Sequence, residues 1–301
     1  MINEFAKQTE ILFLWDGENW NPNGDMLNDN APRYDEIAGK ALVTDVRVKR
    51  TIRDDLFERK GKEIFVREVK ANDGKGILDG KSRVKQFMEN GKENVIEEII
   101  KKCIDVRAFG GVFPVEKEQF NLTGAMQFKM SKTLHKVDAP VYIKGTGAFA
   151  SEKGKENKTF REEYILPYGM FVTYGIVSGL SAKKSKFTNE DLDEILDSLW
   201  IGTKNLITRS KVGQMPRFLL KITYSEEGDF IGSLDTKLKV ANLKVASETE
   251  IRSIQDFELD LTELISILEK EENKNKIEEI KYRIDEDLKV VGKFPEDWET
   301  F

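Results

Sequence analysis

The chain has 301 residues, of which 39% are hydrophobic and 34% are charged, and its formal net charge is −6. This composition is typical of a soluble globular protein with a sizeable core. The single cysteine excludes an internal disulfide and a thiolate-rich zinc site, and the single histidine excludes sites that need two imidazoles. No apolar run approaches the roughly 20 residues of a membrane helix and the N-terminus does not resemble a signal peptide, so we expect a cytoplasmic protein without membrane contact.

The charge is distributed unevenly along the chain. Residues 248–301 carry 17 acidic and 8 basic residues, whereas residues 1–247 carry 37 acidic and 40 basic residues. Residues 204–221 contain five basic residues and no acidic residue. Such an asymmetry is typical of a nucleic-acid surface on an otherwise neutral protein. We expect the acidic C-terminal portion, about 248–301, to be helical and to serve packing and solubility.

The N-terminal part predicts a strand, a long polar loop and a helix. Residues 9–15, TEILFLW, are typical of a buried strand. Residues 21–32 contain nine turn formers, which exclude regular structure. The helix that follows has Thr44 as its predicted N-cap and an apolar residue at every fourth position on one side. A charge run on such a helix most often marks a solvated face, but a polar loop, a helix N-terminus and clustered basic residues together suit a phosphate chain.

The middle of the chain predicts alternating strands and helices. Residues 63–69 indicate a second strand, residues 81–102 a helix and residues 123–130 another strand. The stretch at 74–82 resembles a phosphate-binding P-loop, but its glycine spacing is wrong, which argues against nucleotide hydrolysis. We expect the lone histidine, His135, to be structural or solvated rather than catalytic.

Residues 141–218 predict a hairpin, a helix and a basic loop. Residues 141–175 form two strand-like stretches around a polar tip, which indicates a projecting hairpin. Residues 188–200 predict an amphipathic helix with capping-box spacing at its start. Residues 206–218 predict a basic loop suited to gripping phosphates. Interleaved elements of this kind predict an α+β domain, and the opening order is compatible with a ferredoxin-like sheet.

Eight sequence blocks follow one another in order between about residues 9 and 235. They are NPNGD at 21–25, DNAPR at 29–33, GKALVTDVRVKRTIRDDL at 39–56, DVRAFGGVF at 105–113, TGAMQF at 123–128, SKTLHKV at 131–137, REEYILPYG at 161–169 and NLITRSKVGQMPRFLL at 205–220. In these blocks the chain resembles the backbone subunit family of the CRISPR Cascade surveillance complex, the Csh/Csd-type branch of the RAMP superfamily, and most closely subtype I-B.

The resemblance implies one elaborated domain with an RRM-like (ferredoxin-like) palm, an inserted finger region and a β-hairpin thumb at about 140–162. It also implies that several copies polymerise as a helical filament along one guide crRNA, whose exposed bases pair with target DNA. Its other partners would be the large, small and guide 5′-end capping subunits of Cascade. The family resemblance implies neither a cofactor nor a metal ion.

The resemblance places RNA contacts on the polar loop, the basic helix and the basic loop. The implied RNA-binding residues are Asn21, Asn23, Arg47, Lys49, Arg50, Arg53, Lys204, Asn205, Arg209, Ser210, Lys211, Gln214 and Arg217, with Phe109 and Met215 as apolar contacts to bases.

Two other functions stay open at this point. A metal-dependent RNA nuclease would use aspartates in or beside the polar loop, namely Asp16, Asp25, Asp29 and Asp35. We favour the interpretation of the loop aspartates as turn formers and of the protein as a non-enzyme, because the blocks resemble the DNA-targeting branch, in which the backbone subunit is not a nuclease. The third possibility is a general single-stranded RNA-binding protein.

Overall fold

The computed structural model describes residues 4–71, 74, 76–88, 95–115, 118–150 and 158–301. The strands are β1 Thr9–Trp20, β2 Gly24–Asp25, β3 Ala31–Pro32, β4 Tyr34–Asp35, β5 Lys40–Val43, β6 Gly110–Val115, β7 Glu118–Thr123, β8 Met126–Phe128, β9 Ser131–Thr133, β10 Val141–Ala150, β11 Lys158–Val177, β12 Met215–Tyr224, β13 Lys239–Ala241, β14 Glu258–Asp260, β15 Ile277–Ile284, β16 Val290–Val291 and β17 Glu299–Thr300. The α-helices are α1 Asp45–Glu58, α2 Gly80–Lys85, α3 Val95–Lys102, α4 Ile104–Phe109, α5 Gly179–Ser185, α6 Asn189–Asn205, α7 Thr262–Leu268 and α8 Glu271–Lys274.

A mixed sheet forms the centre of this α/β fold. Its order is β17-β15-β12-β1-β11-β9-β5-β4, and β8 and β10 also pair with β11. Strand β1 is antiparallel to β11, with Thr9 opposite Val177, and antiparallel to β12, with Thr9 opposite Thr223. The prediction of a buried strand at residues 9–15 is confirmed, and the strand continues to Trp20.

The sheet is covered on both faces because β1 alternates its side chains between two cores. Ile11, Phe13 and Trp15 join the apolar sides of α1 and α6 in one buried cluster. Leu12 and Leu14 join residues of β11, β12 and the C-terminal region in the other. Every residue from Thr9 to Gly17 is therefore buried, which explains the nearly continuous apolar run.

The second face of the sheet is covered by the C-terminal layer, which we define as residues 234–301. The expectation that the acidic portion at about 248–301 is helical is wrong, since it contains the strands β14 to β17 beside the short helices α7 and α8. Strand β15 joins the central sheet next to β12, with Ile280 opposite Ile222. Leu264 and Leu268 of α7 are fully buried in the second core. The layer therefore packs against the sheet through its apolar side chains and leaves its acidic residues mostly at the surface.

The predicted strand at residues 63–69 is not formed. The backbone N–H groups of Phe65 and Val66 donate to the buried carboxylate of Asp105, at 2.8 and 3.1 Å, instead of to a neighbouring strand. The helix predicted at 81–102 is present as two helices, α2 and α3, and residues 89–94 between them lie outside the described residues. These segments share a third, smaller core with α4 and β6, and residues 62–123 around it are called the finger region below.

The predicted hairpin and the amphipathic helix are confirmed. Strands β10 and β11 pair antiparallel, with Val141 opposite Ile165, and the tip at 151–157 lies outside the described residues. Helix α6 begins with a capping box, in which the Asp191 N–H donates to the Thr188 hydroxyl at 3.1 Å and the Thr188 N–H donates to the Asp191 carboxylate at 3.2 Å. In the described ranges, no helix combines the length and the hydropathy that a membrane crossing requires.

Replacing Leu264 with alanine should lower the free energy of unfolding by about 2–5 kcal/mol, because the change leaves a cavity between α7 and the sheet. Chemical denaturation followed by circular dichroism measures this loss. Leu180→Ala is the matched control, since its side chain is 57% exposed and the change should stay within about 0.5 kcal/mol. Equal losses in both variants would contradict the packing of the C-terminal layer on the sheet.

Candidate nucleic-acid interface

The polar loop and the basic loop, far apart in sequence, meet where β1 ends and β12 begins. The Asn21 N–H donates to the Ser210 carbonyl at 2.9 Å, which ties residues 21–44 to residues 206–214. The Asn21 side-chain amide donates to the Asn30 carbonyl at 2.6 Å, which closes the polar loop on itself. The two segments therefore form one surface at this end of the sheet.

Asn23 holds the polar loop against the start of α1. Its side-chain oxygen accepts hydrogen bonds from the Thr44 N–H and from the Thr44 hydroxyl, both at 2.9 Å. Thr44 is the N-cap as predicted, although its hydroxyl bonds Asn23 instead of capping the helix. Asn21 is only 5% exposed, and Asn23 is bonded to Thr44. Both asparagines therefore hold the loop in its conformation. Their predicted role as direct RNA contacts is wrong for Asn21, because its side chain is buried.

Arg47 lies at the centre of the surface, in the first turns of α1. Its guanidinium packs over the Trp15 ring, with 4.7 Å between the guanidinium carbon and the ring centroid. It donates to the Pro22 carbonyl at 3.2 Å, to the Thr51 hydroxyl at 3.3 Å and to the Gln214 side-chain oxygen at 2.5 Å. All three acceptors are uncharged. Burial lowers the pKa of Arg47 to about 10, so the group stays cationic near neutral pH.

Lys211 adds a second positive charge beside Arg47. It is half-buried, and its ammonium donates to the Ser210 hydroxyl at 3.3 Å. Burial, and then the charge of Arg47, lower the pKa of Lys211. Within the described residues neither cation forms an ion pair with a carboxylate. Two adjacent uncompensated cations repel each other and together attract an anion.

A family model described as CRISPR-associated protein Cas7 matches residues 7–262 of the chain, which include both loops and α1. The chain belongs to the Cas7 family. The curated CRISPR-associated protein Cas7 of Haloferax volcanii is 30% identical over an alignment of 288 residues, which covers 87% of this chain and 83% of that protein. The resemblance inferred from the eight sequence blocks is thereby confirmed at the level of the family.

Solved structures give the same fold at low sequence identity. A chain of a CRISPR RNA-guided surveillance complex in a pre-nicking state matches with a TM-score of 0.59 and 11% identity, over 98% of this chain and 96% of that chain. A chain of another CRISPR RNA-guided surveillance complex matches with a TM-score of 0.50 and 13% identity, over 96% of both chains. The mixed α/β fold around a central sheet is therefore shared with these chains of surveillance complexes.

Three other basic residues in the predicted set are neutralised inside the protein. Lys49 is 8% exposed and donates to Asp45 at 3.0 Å. Arg53 donates to the buried Asp105 at 2.9 Å, with its side chain 12% exposed. Their predicted role in holding RNA phosphates is wrong, because carboxylates already satisfy these cations and burial keeps them from the surface.

Arg217, the third of these basic residues, forms a buried ion pair. Its guanidinium donates to Asp16 at 2.8 Å and also to Asp285 of the C-terminal layer, and Asp16 accepts from the Tyr168 hydroxyl at 2.9 Å. The Arg217 side chain is 9% exposed. The prediction that Arg217 contacts RNA is therefore wrong, and the residue instead joins β1, β12 and the C-terminal layer.

The two apolar candidates differ in exposure. Phe109 is 7% exposed and packs against Phe128, with 6.4 Å between ring centroids, so its predicted contact with bases is wrong. Met215, at the start of β12, is partly exposed. Ile207 and Val212, which are not among the predicted residues, are 75% and 57% exposed in the basic loop. Aliphatic residues inside an acid-free turn segment were the signal that could have identified them.

The remaining predicted residues stay at the surface. Lys204 and Asn205 are exposed at the end of α6, and Ser210 is partly exposed. Arg50 is exposed but pairs with Asp54 at 2.7 Å. Arg209 is exposed and pairs with Glu163 at 2.9 Å. Exposed ion pairs of this kind contribute little to stability, so an RNA phosphate can compete for these cations.

Three of the four aspartates of the nuclease alternative have structural partners within the protein. Asp25 accepts the Leu27 N–H at 3.2 Å, and Asp35 accepts the N–H groups of Ile37 and Ala38 at 3.1 and 3.0 Å. Asp16 is engaged by Arg217 in the core. In the ranges that the structure describes, no three histidine, cysteine or acidic residues are grouped as a metal ion requires. This arrangement is typical of turn formers.

His135 is a buried structural residue, as expected. It is fully buried, shares a hydrogen bond with the Lys136 carbonyl at 2.8 Å and stacks on Tyr168, with 5.7 Å between ring centroids. Burial lowers the pKa of His135 to about 4. The neutral ring therefore belongs to the core. Its hydrogen bond and its stacking contact are with Lys136 and Tyr168, and not with Arg47 or Lys211.

His135 should titrate near pH 4 in the folded protein, compared with about 6.5 in an unfolded chain. Because the unfolded state binds the proton more tightly, the stability from this group is present above pH 6.5. We expect it to fall as pH drops towards 4, by roughly 3 kcal/mol in total. NMR of the single imidazole measures the midpoint, and urea unfolding of the His135→Gln variant isolates the contribution to stability. A midpoint near 6.5 would contradict the burial.

Proposed function

We propose that this Cas7-family chain is the backbone subunit of a type I-B CRISPR surveillance complex. In this proposal, copies polymerise as a helical filament along the guide crRNA and present its bases for pairing with target DNA. Membership of the Cas7 family and the likeness to chains of RNA-guided surveillance complexes support the proposal. The large, small and guide 5′-end capping subunits would be its other partners.

The observation that carries the proposal is the pair of uncompensated cations, Arg47 and Lys211, on the surface shared by the two loops. A guanidinium with unused donors suits a phosphate oxygen, and a neighbouring ammonium adds charge. The exposed Ile207, Val212 and partly exposed Met215 lie on the same loop or at its end and can contact bases or sugars. Phosphate contacts combined with a few apolar contacts bind single-stranded RNA without reading its sequence.

The proposed RRM-like palm is supported by the order of the central strands. Along the chain the elements run β1, α1, β8 and β9, β11, α6 and β12, and in the sheet the order is β12-β1-β11 with β8 and β9 beside β11. A ferredoxin-like sheet has this arrangement, with the first and third strands adjacent at the centre. The finger region and the β10–β11 hairpin would then be the fingers and the thumb.

The C-terminal layer determines where RNA can lie on such a palm. Leu12 and Leu14 of β1 face this layer and are almost completely buried, so that face of the sheet offers no platform for stacked bases. We therefore place the RNA path at the end of β1, across α1 and the two loops. In this proposal the subunit binds RNA without cleaving it and acts in the cytoplasm without a membrane partner.

The protein should carry guide RNA when it is co-expressed with a CRISPR array and the other subunits of its complex. After purification through this chain, sequencing should recover RNA of uniform length with repeat-derived ends, because each copy covers a short segment of one guide. The purified complex should leave guide-complementary RNA intact in Mg²⁺. Mixed cellular RNA would favour a general single-strand binder, regular cuts in the complementary RNA would favour the nuclease, and absence of RNA would overturn the proposal.

The double variant Arg47→Ala, Lys211→Ala should bind RNA more weakly and with a flatter salt dependence. We expect its logarithmic slope to fall by about 1.4, since each lost phosphate contact removes about 0.7 for a single strand. Fluorescence anisotropy at several salt concentrations measures the slope. Lys237→Ala, Lys239→Ala is the matched control, because it removes the same charge where both lysines pair with Glu263 at 3.2 and 2.8 Å. The control should keep the wild-type slope, and an equal fall in both would contradict a local RNA site.

A further inference from the structure

Gln214 is buried between α6 and α1, at the end of the basic loop. It is 1% exposed, so it cannot reach RNA directly. Its amide nitrogen donates to the Thr203 carbonyl at 2.7 Å, and its oxygen accepts from Arg47 at 2.5 Å. Because the amide nitrogen must face a carbonyl, the oxygen can only face the guanidinium. The prediction that Gln214 contacts RNA is thus wrong, and the structure gives the residue a different position.

Arg47 does not use all of its hydrogen-bond donors within the described residues. A guanidinium has five N–H donors in a fixed plane. Pro22, Thr51 and Gln214 accept one hydrogen bond each, which leaves two donors, and Trp15 supports one face of the plane. These neighbours therefore fix the position of the Arg47 guanidinium, and none of them neutralises its charge.

Two other arginines of α1, Arg50 and Arg53, show the effect of an acidic partner on the charge of an arginine. Arg50 bonds the Asp54 carboxylate, and Arg53 bonds the Asp105 carboxylate. The pair of Arg53 neutralises the cation inside the protein, and the pair of Arg50 does so at the surface, where its side chain is exposed. Arg47 instead meets an amide, which differs from a glutamate by one nitrogen in place of one oxygen. A neutral acceptor can orient a guanidinium without cancelling its charge.

We propose that Gln214 is a positioning residue: it holds Arg47 towards one RNA phosphate, and its neutrality leaves the charge of Arg47 uncompensated. This inference rests on the proposed RNA-binding function. It assigns the ligand of the site as a single phosphodiester group of the bound strand. It also makes Gln214 the residue that decides whether the site attracts an anion.

Two variants separate the charge of Gln214 from its hydrogen bond. Gln214→Glu keeps the size and the acceptor but adds a negative charge against Arg47. Gln214→Met keeps the size and removes the acceptor without adding charge. Both are compared with the wild-type chain by fluorescence anisotropy on a single-stranded oligoribonucleotide at several salt concentrations, and by thermal melting.

Gln214→Glu should weaken RNA binding roughly tenfold, the loss expected for one hydrogen bond to a charged group. The logarithmic salt slope should fall by about 0.7, because one phosphate contact is lost. Its melting temperature should fall, and so should that of Gln214→Met, because both replacements remove the hydrogen bond to the buried Thr203 carbonyl. Gln214→Met should lose less affinity and keep the wild-type slope. A Gln214→Glu variant with weakened binding but an unchanged slope would overturn the proposal.

A double-mutant cycle tests whether Gln214 acts through Arg47. The effect of Gln214→Met on RNA affinity should disappear in an Arg47→Ala background, because the residue has nothing left to position. If the effect persists there, Gln214 acts independently of Arg47 and the inference is wrong. This cycle decides the question even if Gln214→Glu does not fold. Failure of the wild-type chain to bind RNA at low salt would instead reject the proposed function on which the inference rests.

Discussion

Burial of β1 on both faces is the constraint on which the rest of this structure depends. The nine residues from Thr9 to Gly17 are all buried, and both edges of the strand are paired, with β11 and with β12. The strand cannot shift by one residue without moving its side chains from one core to the other. Trp15 and Asp16 are consequently fixed in place, and they support Arg47 and Arg217 respectively.

Trp15 and Asp16 are adjacent in sequence, but they contact two different arginines in different ways. Because side chains alternate along a strand, Trp15 faces α1 and Asp16 faces the C-terminal layer. The first residue offers an aromatic ring, which supports a cation without neutralising it. The second offers a carboxylate, which compensates a buried cation. The distribution of charge on this protein thus follows from strand register as much as from the number of basic residues.

Local rules explain what could be predicted from the sequence. The first strand, the helix after Thr44 and the capping box at Thr188 depend on residues within a few positions of one another, and the structure confirms them. The strand predicted at residues 63–69 is not formed, because the partner of its N–H groups is Asp105, some forty residues away in the chain. The sequence blocks gave the family correctly because they combine many such local patterns.

The candidate site was predicted less well than the family, for a physical reason. A basic residue binds RNA only if no carboxylate reaches it first, and those carboxylates come from distant segments, as Asp105 does for Arg53. Phe109, which the resemblance implied as a contact to bases, packs in the core instead. The glycine after it serves the fold: Gly110 has φ of +76°, and a Cβ atom there would lie 2.2 Å from the Leu122 carbonyl oxygen. The glycine permits close pairing of β6 and β7.

The pairing of β12 with β15 has a consequence for the order in which the protein is made. The second strand that pairs with β12 is β15, residues 277–284, and Asp285 forms an ion pair with Arg217. On the ribosome, the sheet edge beside the basic loop therefore stays open until these residues have emerged. A nascent chain can fold its first core, around α1 and α6, well before the second core closes. Synthesis in this order delays the mature interface until the C-terminal layer is in place.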